Sequence, residues 1–383
     1  MTDDDKKIPL SQPDINEDDI EAVARCLRSG RLSRGPWVEE FEAGLAEFIG
    51  TKHAIAVSSG TAALHILMVG LGLRPGDEVI TTPFSFIAST NCILYAGARP
   101  VFVDIDPHSL NLDPRLLDCA LTDRTKMILP VHVFGRPCAM DALMSFADQH
   151  ILDVVEDACE AIGSRYRSQS VGSFGIAAAL AFYPNKQITT GEGGAIVTND
   201  PFLAELCRAL RNQARAESGA SSHYSRLGFN YRITDLQCAL GISQLRRIRQ
   251  LVARRSEVAG WYRELLADVK EIILPVPPEE GAEISWCLFV IRLSDRFGEG
   301  DRDLVLERMA ENGIECHAYF PVIHREAFIR KELGPIPGSF PVAEAVAART
   351  VALPFSSVMS REQVERVCNA LKASLVRRAS RRC

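Results

Sequence analysis

Lys186 stands in Ala-Phe-Tyr-Pro-Asn-Lys-Gln-Ile-Thr-Thr-Gly-Glu-Gly-Gly (181–194), after the apolar run 176–183 and before a cluster of glycines. Asp157 closes another strand-like run, Ile-Leu-Asp-Val-Val-Glu-Asp (151–157). An amine at one strand exit and a carboxylate at another are two groups that pyridoxal phosphate chemistry asks of a protein. The amine forms a Schiff base with the aldehyde, and the carboxylate pairs with the pyridine nitrogen. Each residue alone also has an ordinary reading, Lys186 as a solvated surface cation and Asp157 as the N-cap of a helix from Ala158. Pro184 and Gly191, Gly193 and Gly194 surround the lysine with irregular, closely packed backbone, where solubility does not require a long cation. A Walker-type phosphate loop is excluded, because these glycines follow the lysine instead of preceding it.

Ser58-Ser59-Gly60-Thr61 lies between the β-branched run ending at Val57 and the helical run Ala62-Ala63-Leu64-His65-Ile66-Leu67. A strand-to-helix turn of small residues presents free backbone N–H groups and a positive dipole end, which suits a phosphate. Gly60 lets the backbone come close, and Ser59 and Thr61 add hydroxyl donors. The same four residues also read as a plain helix cap.

The elements that must position these groups follow from periodicity. Strand-like runs at 53–58, 78–82, 100–105, 126–134, 151–156, 176–183 and 194–198 alternate with helical stretches such as 61–73, 139–149 and 201–212. That alternation predicts an α/β fold with a largely parallel sheet between helices. Near the start, Asn16 reads as an N-cap and Gly30 as a stop, with Ile20, Val23, Ala24 and Leu27 on one helical face. Thr234 and Gln237 form a capping box opening a long helical region through Leu245, Ile248, Leu251 and Val252. Beyond it, a strand at 285–293, a helix at 301–312, a second strand near 314–320 and a closing helix at 360–378 predict a smaller α+β unit. The expected division is 1–248 and 249–383.

The 383 residues are 47% hydrophobic and 24% charged, the profile of an ordinary globular protein. A net charge of −6 and the lack of a nucleic-acid motif argue against nucleic acid as a partner. The acidic opening Met-Thr-Asp-Asp-Asp-Lys-Lys has no signal-peptide core and no apolar run reaches membrane-spanning length, so the cytoplasm is the expected location, with no membrane partner. Eleven cysteines without a C-x-x-C pair indicate neither a disulfide framework nor a zinc site. No metal-ligand spacing joins the histidines. The basic tail Val-Arg-Arg-Ala-Ser-Arg-Arg-Cys (376–383) reads as a solvated end.

Six segments, in order along nearly the whole chain, resemble the hallmark segments of the DegT/DnrJ/EryC1/StrS family of nucleotide-sugar aminotransferases. They are Ile-Pro-Leu-Ser-Gln-Pro-Asp-Ile (8–15), Ser-Gly-Thr-Ala-Ala-Leu (59–64), Thr-Pro-Phe-Ser-Phe-Ile-Ala (82–88), Val-Glu-Asp-Ala-Cys-Glu-Ala (155–161), Asn-Lys-Gln-Ile-Thr-Thr-Gly-Glu-Gly-Gly (185–194) and Gly-Phe-Asn-Tyr-Arg-Ile-Thr-Asp-Leu-Gln (228–237). The resemblance implies a fold type I transferase, like aspartate aminotransferase, with a large domain and a small C-terminal domain. It implies pyridoxal phosphate held by Lys186, with Asp157 at the pyridinium nitrogen, Phe86 stacked on the ring, and Gly60 and Thr61 at the phosphate. Asn230 matches a residue that reaches the phosphate from a neighbouring subunit, which implies a homodimer with shared active sites.

Two positions depart from the common pattern. Ala181 replaces a serine that often binds the phosphate, a loss of roughly 1 kcal/mol. Glu160 stands where glutamine or histidine is common beside the phenolic oxygen, and a carboxylate there repels the phenolate unless it is protonated or turned away. Arg31, Ser33, Tyr183, Tyr319 and His324 fall in segments that line the sugar-nucleotide site in relatives; His324, like His132, also reads as a structural histidine.

The reaction so implied moves an amino group from an amino acid, glutamate first, through pyridoxamine phosphate to a nucleotide-linked keto sugar. Carbon 4 of a deoxy sugar is the first choice and carbon 3 the second, in surface-polysaccharide or antibiotic-sugar synthesis. The dehydratase branch, which replaces the lysine with histidine, does not fit Lys186. A non-catalytic sensory member and a general amino-acid aminotransferase are the competing readings; the latter calls for an arginine clamp that the sequence does not locate.

Overall fold

The structure, a computed structural model, describes residues 7–215, 224 and 226–375. Most of the acidic opening and the basic tail at 376–383 lie outside the described residues. In the first half of the chain, α1 (Glu17–Ser29) and α2 (Pro36–Ile49) precede β1 (His53–Val57), α3 (Gly60–Gly70), β2 (Glu78–Thr81), α4 (Ala88–Tyr95), β3 (Arg99–Phe102) and β4 (Thr125–Ile128). Next come α5 (Met140–His150), β5 (Asp153–Asp157), the short pair β6 (Arg165–Tyr166) and β7 (Gln169–Ser170), β8 (Ala177–Ala181), β9 (Gly194–Thr198) and α6 (Pro201–Arg211). Among the described residues seven strands form one sheet in the order β1-β9-β8-β5-β4-β2-β3. Only β9 runs against its neighbours.

Alternation along the strands explains the two covering layers. Ile55 and Val57 of β1 pack with Leu64 and Leu67 of α3 and Leu203 of α6. Ala54 and Ala56, one residue out of phase, pack with Phe41 and Leu45 of α2. The runs of alanine in β8, Ala177 and Ala179 to one side and Ala178 to the other, let both layers approach closely.

The capping box at Thr234 and Gln237 opens α7 (Asp235–Arg246), but the long helical region breaks at Arg247 (φ −111°, ψ 13°) and restarts as α8 (Ile248–Leu266). A second sheet, β10 (Ile272–Ile273), β11 (Phe289–Leu293) and β12 (Thr350–Leu353), packs with α8, α9 (Glu299–Glu311) and α12 (Arg361–Ser374). Tyr262 stacks on Phe289 there at 4.8 Å and donates its hydroxyl to the Pro354 carbonyl at 2.7 Å. Between them α10 (Ala327–Leu333) and α11 (Pro341–Ala347) lie near the β3 edge, where the Asp104 carboxylate accepts from the Val342 and Ala343 N–H groups at 2.9 Å.

Several expectations need correction. The N-terminal helix is capped as expected, yet it buries Asp19, Ala22 and Cys26, leaving Ile20 and Leu27 each 54% exposed. Polar anchoring outweighs apolar pattern: the Asp19 carboxylate accepts from Gln244 Nε2 and Arg247 Nη2, both at 2.7 Å. The run 126–134 stops as a strand at Ile128 and turns through a short 3-10 segment, Val133–Gly135, with Phe134 at φ 58°. The run 285–293 is a strand only from Phe289. Residues 314–320 make isolated bridges, Ile314 with Ile8 and His317 with Ala352, while the true sheet partner is Thr350–Leu353, which periodicity did not single out. Among the described residues no helix is long and apolar enough to cross a membrane.

Candidate active site

The strands β1, β2, β4, β5 and β8 point the same way, so their carboxyl ends share one edge of the sheet. Ligands in open α/β sheets bind at that edge. Onto it project the Ser59 to Thr61 turn after β1, the segment 82–88 after β2, Asp157 at the end of β5 and Lys186 in the loop after β8. The turn packs tightly against its neighbours. A Cβ on Gly60 would come within 2.7 Å of the Ala181 Cβ and 2.8 Å of the Cys159 Sγ, and one on Gly194 within 2.4 Å of the Ser59 carbonyl carbon. Only glycine lets the first turn of α3 lie against the exits of β5 and β8.

Lys186 Nζ lies 3.1 Å from Glu160 Oε1, with the two side chains 12% and 11% exposed. The other carboxylate oxygen of Glu160 accepts the Phe134 N–H at 2.8 Å, so the group is held at both ends. Gln187 donates to the Glu160 carbonyl at 2.7 Å and to the Ser285 carbonyl at 2.5 Å, tying the lysine loop to both segments. Burial by itself pushes the Lys186 amine down, but Cys287, Glu160 and Cys159 outweigh it and hold the pKa above its ordinary value. Burial pushes the Cys287 thiol up to about 11, so at neutral pH Cys287 is uncharged and the Glu160 carboxylate is the working counterion. Tyr319 belongs to the same field: burial and then the Glu160 charge raise its pKa, while Lys186 opposes them.

Asp157 is buried, and its Oδ2 accepts the Ser89 hydroxyl at 2.7 Å while its Oδ1 accepts the Cys159 N–H at 3.2 Å. Ser85, in the loop before α4, has its Oγ 3.3 Å from Ser89 Oγ. Ser89 was not singled out from the sequence, although it directly follows the 82–88 segment. At the phosphate turn, Ser59 is the N-cap of α3, its Oγ accepting the Ala62 N–H at 3.1 Å. The hydroxyl hydrogen stays free to donate, and the N–H groups of Gly60 and Thr61 belong to the helix start, which has no intrahelical acceptors.

The remaining candidates separate. Phe86 is 61% and Tyr183 51% exposed, as aromatic groups awaiting a partner would be. Ser33 bridges Thr234, and Gln237 Nε2 donates to the Glu192 carbonyl at 2.6 Å, which brings the 29–35 link beside the glycine loop. Arg31 is exposed and donates to the Arg34 carbonyl at 3.1 Å. Asn230 is exposed, with its backbone bridged to Asn212, between Phe229 and Tyr231, whose rings stack at 5.0 Å. His324 lies 2.9 Å from Glu344 with its ring on Phe340, and the adjoining Ile323 N–H donates to the Pro83 carbonyl of the 82–88 segment at 2.9 Å. His132 is buried and structural. Its Nδ1 accepts the Cys138 N–H at 3.0 Å, so Nε2 carries the hydrogen that Glu156 accepts at 3.1 Å. Among the described residues no group of three or more His, Cys, Asp or Glu side chains could hold a metal ion.

An amine, a buried carboxylate, a helix-start anion seat and an exposed aromatic ring at one sheet edge are the donor set that pyridoxal phosphate requires. The Gly60 turn, where a Cβ would meet Ala181 and Cys159, sets the first N–H groups of α3 beside the exits of β5 and β8, so the residues fit that group. Fold and site together define a pyridoxal phosphate-dependent aminotransferase class.

The chain belongs to the DegT/DnrJ/EryC1/StrS aminotransferase family, whose sequence pattern matches residues 13–372. It is 37% identical over 375 residues to the spore coat polysaccharide biosynthesis protein SpsC of Bacillus subtilis, covering 95% of this chain and 96% of that one. Identity to the GDP-perosamine synthase of Caulobacter vibrioides is 38% over 375 residues, covering 97% and 99%. DesV of S. venezuelae, solved in complex with a ketimine intermediate, has a TM-score of 0.89 at 36% identity, covering 97% of this chain and all of that one (100%).

Proposed function

We propose that this protein transfers the amino group of an amino acid, L-glutamate first, to the ketone of a nucleotide-linked deoxy sugar. The observation that carries the reading is the Lys186 and Glu160 pair at 3.1 Å, at the sheet edge where Asp157 ends β5. The GDP-perosamine synthase relative supports a nucleotide-linked sugar as acceptor, with carbon 4 the first ketone to test and carbon 3 the second.

Bound pyridoxal phosphate supplies an electron sink and carries the amino group between the two half-reactions. Lys186 is the amine that attaches the cofactor and, once free, moves the proton at the donor's α-carbon. Glu160 keeps that freed amine within reach and takes up or returns its proton. Asp157, fixed by Ser89 and the Cys159 N–H, holds a proton on the ring nitrogen. Ser59, Gly60 and Thr61 bind the phosphate. Phe86 covers one ring face. Asn230 reaches the phosphate of a second copy in a homodimer with shared sites. Arg31, Ser33, Tyr183 and Tyr319 contact the sugar nucleotide. The division near 248/249 puts the cofactor residues on one side and Tyr319 on the other.

The test is a half-reaction. Purified protein loaded with pyridoxal phosphate and given L-glutamate alone should release one equivalent of 2-oxoglutarate, and Lys186→Ala should release none. A loaded protein that leaves glutamate untouched but turns over another amino acid would overturn the donor. A panel of nucleotide-linked 4-keto and 3-keto deoxy sugars then reads the acceptor. Cofactor uptake without turnover of any amino acid would favour a sensory role.

A further inference from the structure

Arg255, on the third turn of α8, is 1% exposed, and among the described residues no carboxylate pairs with it. A buried guanidinium without a counterion is costly to keep, so its neighbours must repay the loss of water. They are four main-chain carbonyls from two segments. Nη2 donates to Asn185 at 3.1 Å and Lys186 at 2.7 Å, while Nη1 donates to Trp286 at 3.3 Å and Cys287 at 3.0 Å. One planar fork therefore binds the peptide carbonyls on both sides of the Lys186 Cα to the segment that leads into β11. That segment is anchored in turn to the Glu160 side of the site. Ser285 donates its hydroxyl to the Ile162 carbonyl at 2.6 Å, and its N–H donates to Ser164 Oγ at 2.9 Å. The Cys287 N–H donates to the Phe134 carbonyl at 3.2 Å, and the Phe134 N–H holds Glu160. A closed circuit thus runs from Lys186 through Arg255, Cys287 and Phe134 to Glu160 and back across the 3.1 Å ion pair.

We propose that Arg255 is a positioning residue for Lys186, its guanidinium fixing the lysine's main chain so that the amine meets Glu160 and the cofactor in one geometry. The inference rests on the assignment of Lys186 given above. Lysine cannot substitute, because a single ammonium lacks the fork that spans two carbonyl pairs. The guanidinium is also a fixed positive charge bonded to the carbonyls on either side of the Lys186 Cα. Removing it therefore favours the protonated form of the attached amine.

The experiment compares wild type, Arg255→Met, Arg255→Lys and Arg302→Met, each loaded with pyridoxal phosphate. Arg302 is another buried arginine, donating to the Ala347 carbonyl at 2.9 Å, and controls for loss of a structural guanidinium. The readouts are the pH midpoint of the bound cofactor's absorbance and, for the glutamate half-reaction, the limiting single-turnover rate constant (kcat below) and the half-saturating glutamate concentration (KM below), all taken well below each Tm. Arg255→Met should raise the midpoint by about half a unit or more. It should also cut kcat roughly tenfold or more, with KM changed less than about twofold. Arg255→Lys should recover the midpoint in part but not kcat, and Arg302→Met should lower Tm alone. A wild-type midpoint in Arg255→Met overturns the proposal whatever its Tm. If that variant does not fold, a wild-type kcat in Arg255→Lys overturns it instead. Wild-type protein that binds no cofactor would refute the underlying function, an outcome distinct from either of these.

Discussion

Glu160 changes the chemistry expected of Lys186. A carboxylate 3.1 Å away stabilises the ammonium, whereas attack on an aldehyde requires the free amine. Glu160→Gln removes the charge and keeps the shape, so the Lys186 pKa falls toward its ordinary value. The pH midpoint for uptake of pyridoxal phosphate by the apoprotein should then shift down by about one unit. Stopped-flow uptake across pH checks this, and an unchanged or raised midpoint would contradict it. Ser89→Ala removes a hydrogen bond to a buried carboxylate, a contact of about 2 kcal/mol. A kcat lowered roughly tenfold or more, with Tm lowered by only a few degrees, is the expected result. Lys186 and Asp157 stood out in the chain because each lies at the end of a strand-like run, and Glu160 because it departs from the family pattern. Ser89 and Arg255 were not, since their partners lie 68 and about 70 residues away and no local pattern encodes such contacts.

At the scale of elements, β1 and α3 are joined by a turn that tolerates no side chain at its second residue. Gly60→Ala places a methyl 2.7 Å from Ala181 Cβ and 2.8 Å from Cys159 Sγ, so the turn must lift from the sheet. Cofactor affinity should fall about tenfold or more, read by titration of apoprotein, while the fold persists. The capping box of α7 is a separate device: Thr234→Ala should cost about 1 kcal/mol, measured as a shift in denaturant midpoint. Strands and helices flanking the edge followed from periodicity, because alternation along β1, β8 and β9 feeds two apolar layers. The N-terminal helix followed too, with its Asn16 cap and Gly30 stop, but its buried face did not, since that face is chosen by Asp19 meeting Gln244 and Arg247 from across the fold. The strand at Thr350–Leu353 was overlooked for a related reason: only its pairing with β11 distinguishes it from other short apolar runs.

Over the whole molecule, the cofactor-binding edge and the second sheet are linked through residues 285–287 and the loop that carries Lys186. The shared-site homodimer is tested by mixing two impaired variants, Lys186→Ala and Asn230→Ala. Hybrid dimers pair an intact Lys186 with an intact Asn230 in one of their two sites, so activity should reappear after subunit exchange; no recovery would confine each site to one chain. The order and spacing of the segments from 8–15 to 228–237 made the family legible from sequence, and three of them bring Ser59 to Thr61, Asp157 and Lys186 to one sheet edge. Lys186 as the point of cofactor attachment is the claim on which every other role depends. Incubating the protein with pyridoxal phosphate, reducing it with borohydride and mapping the peptides should recover one pyridoxyl group per chain, on Lys186. A modification at another lysine, or none, would contradict the account.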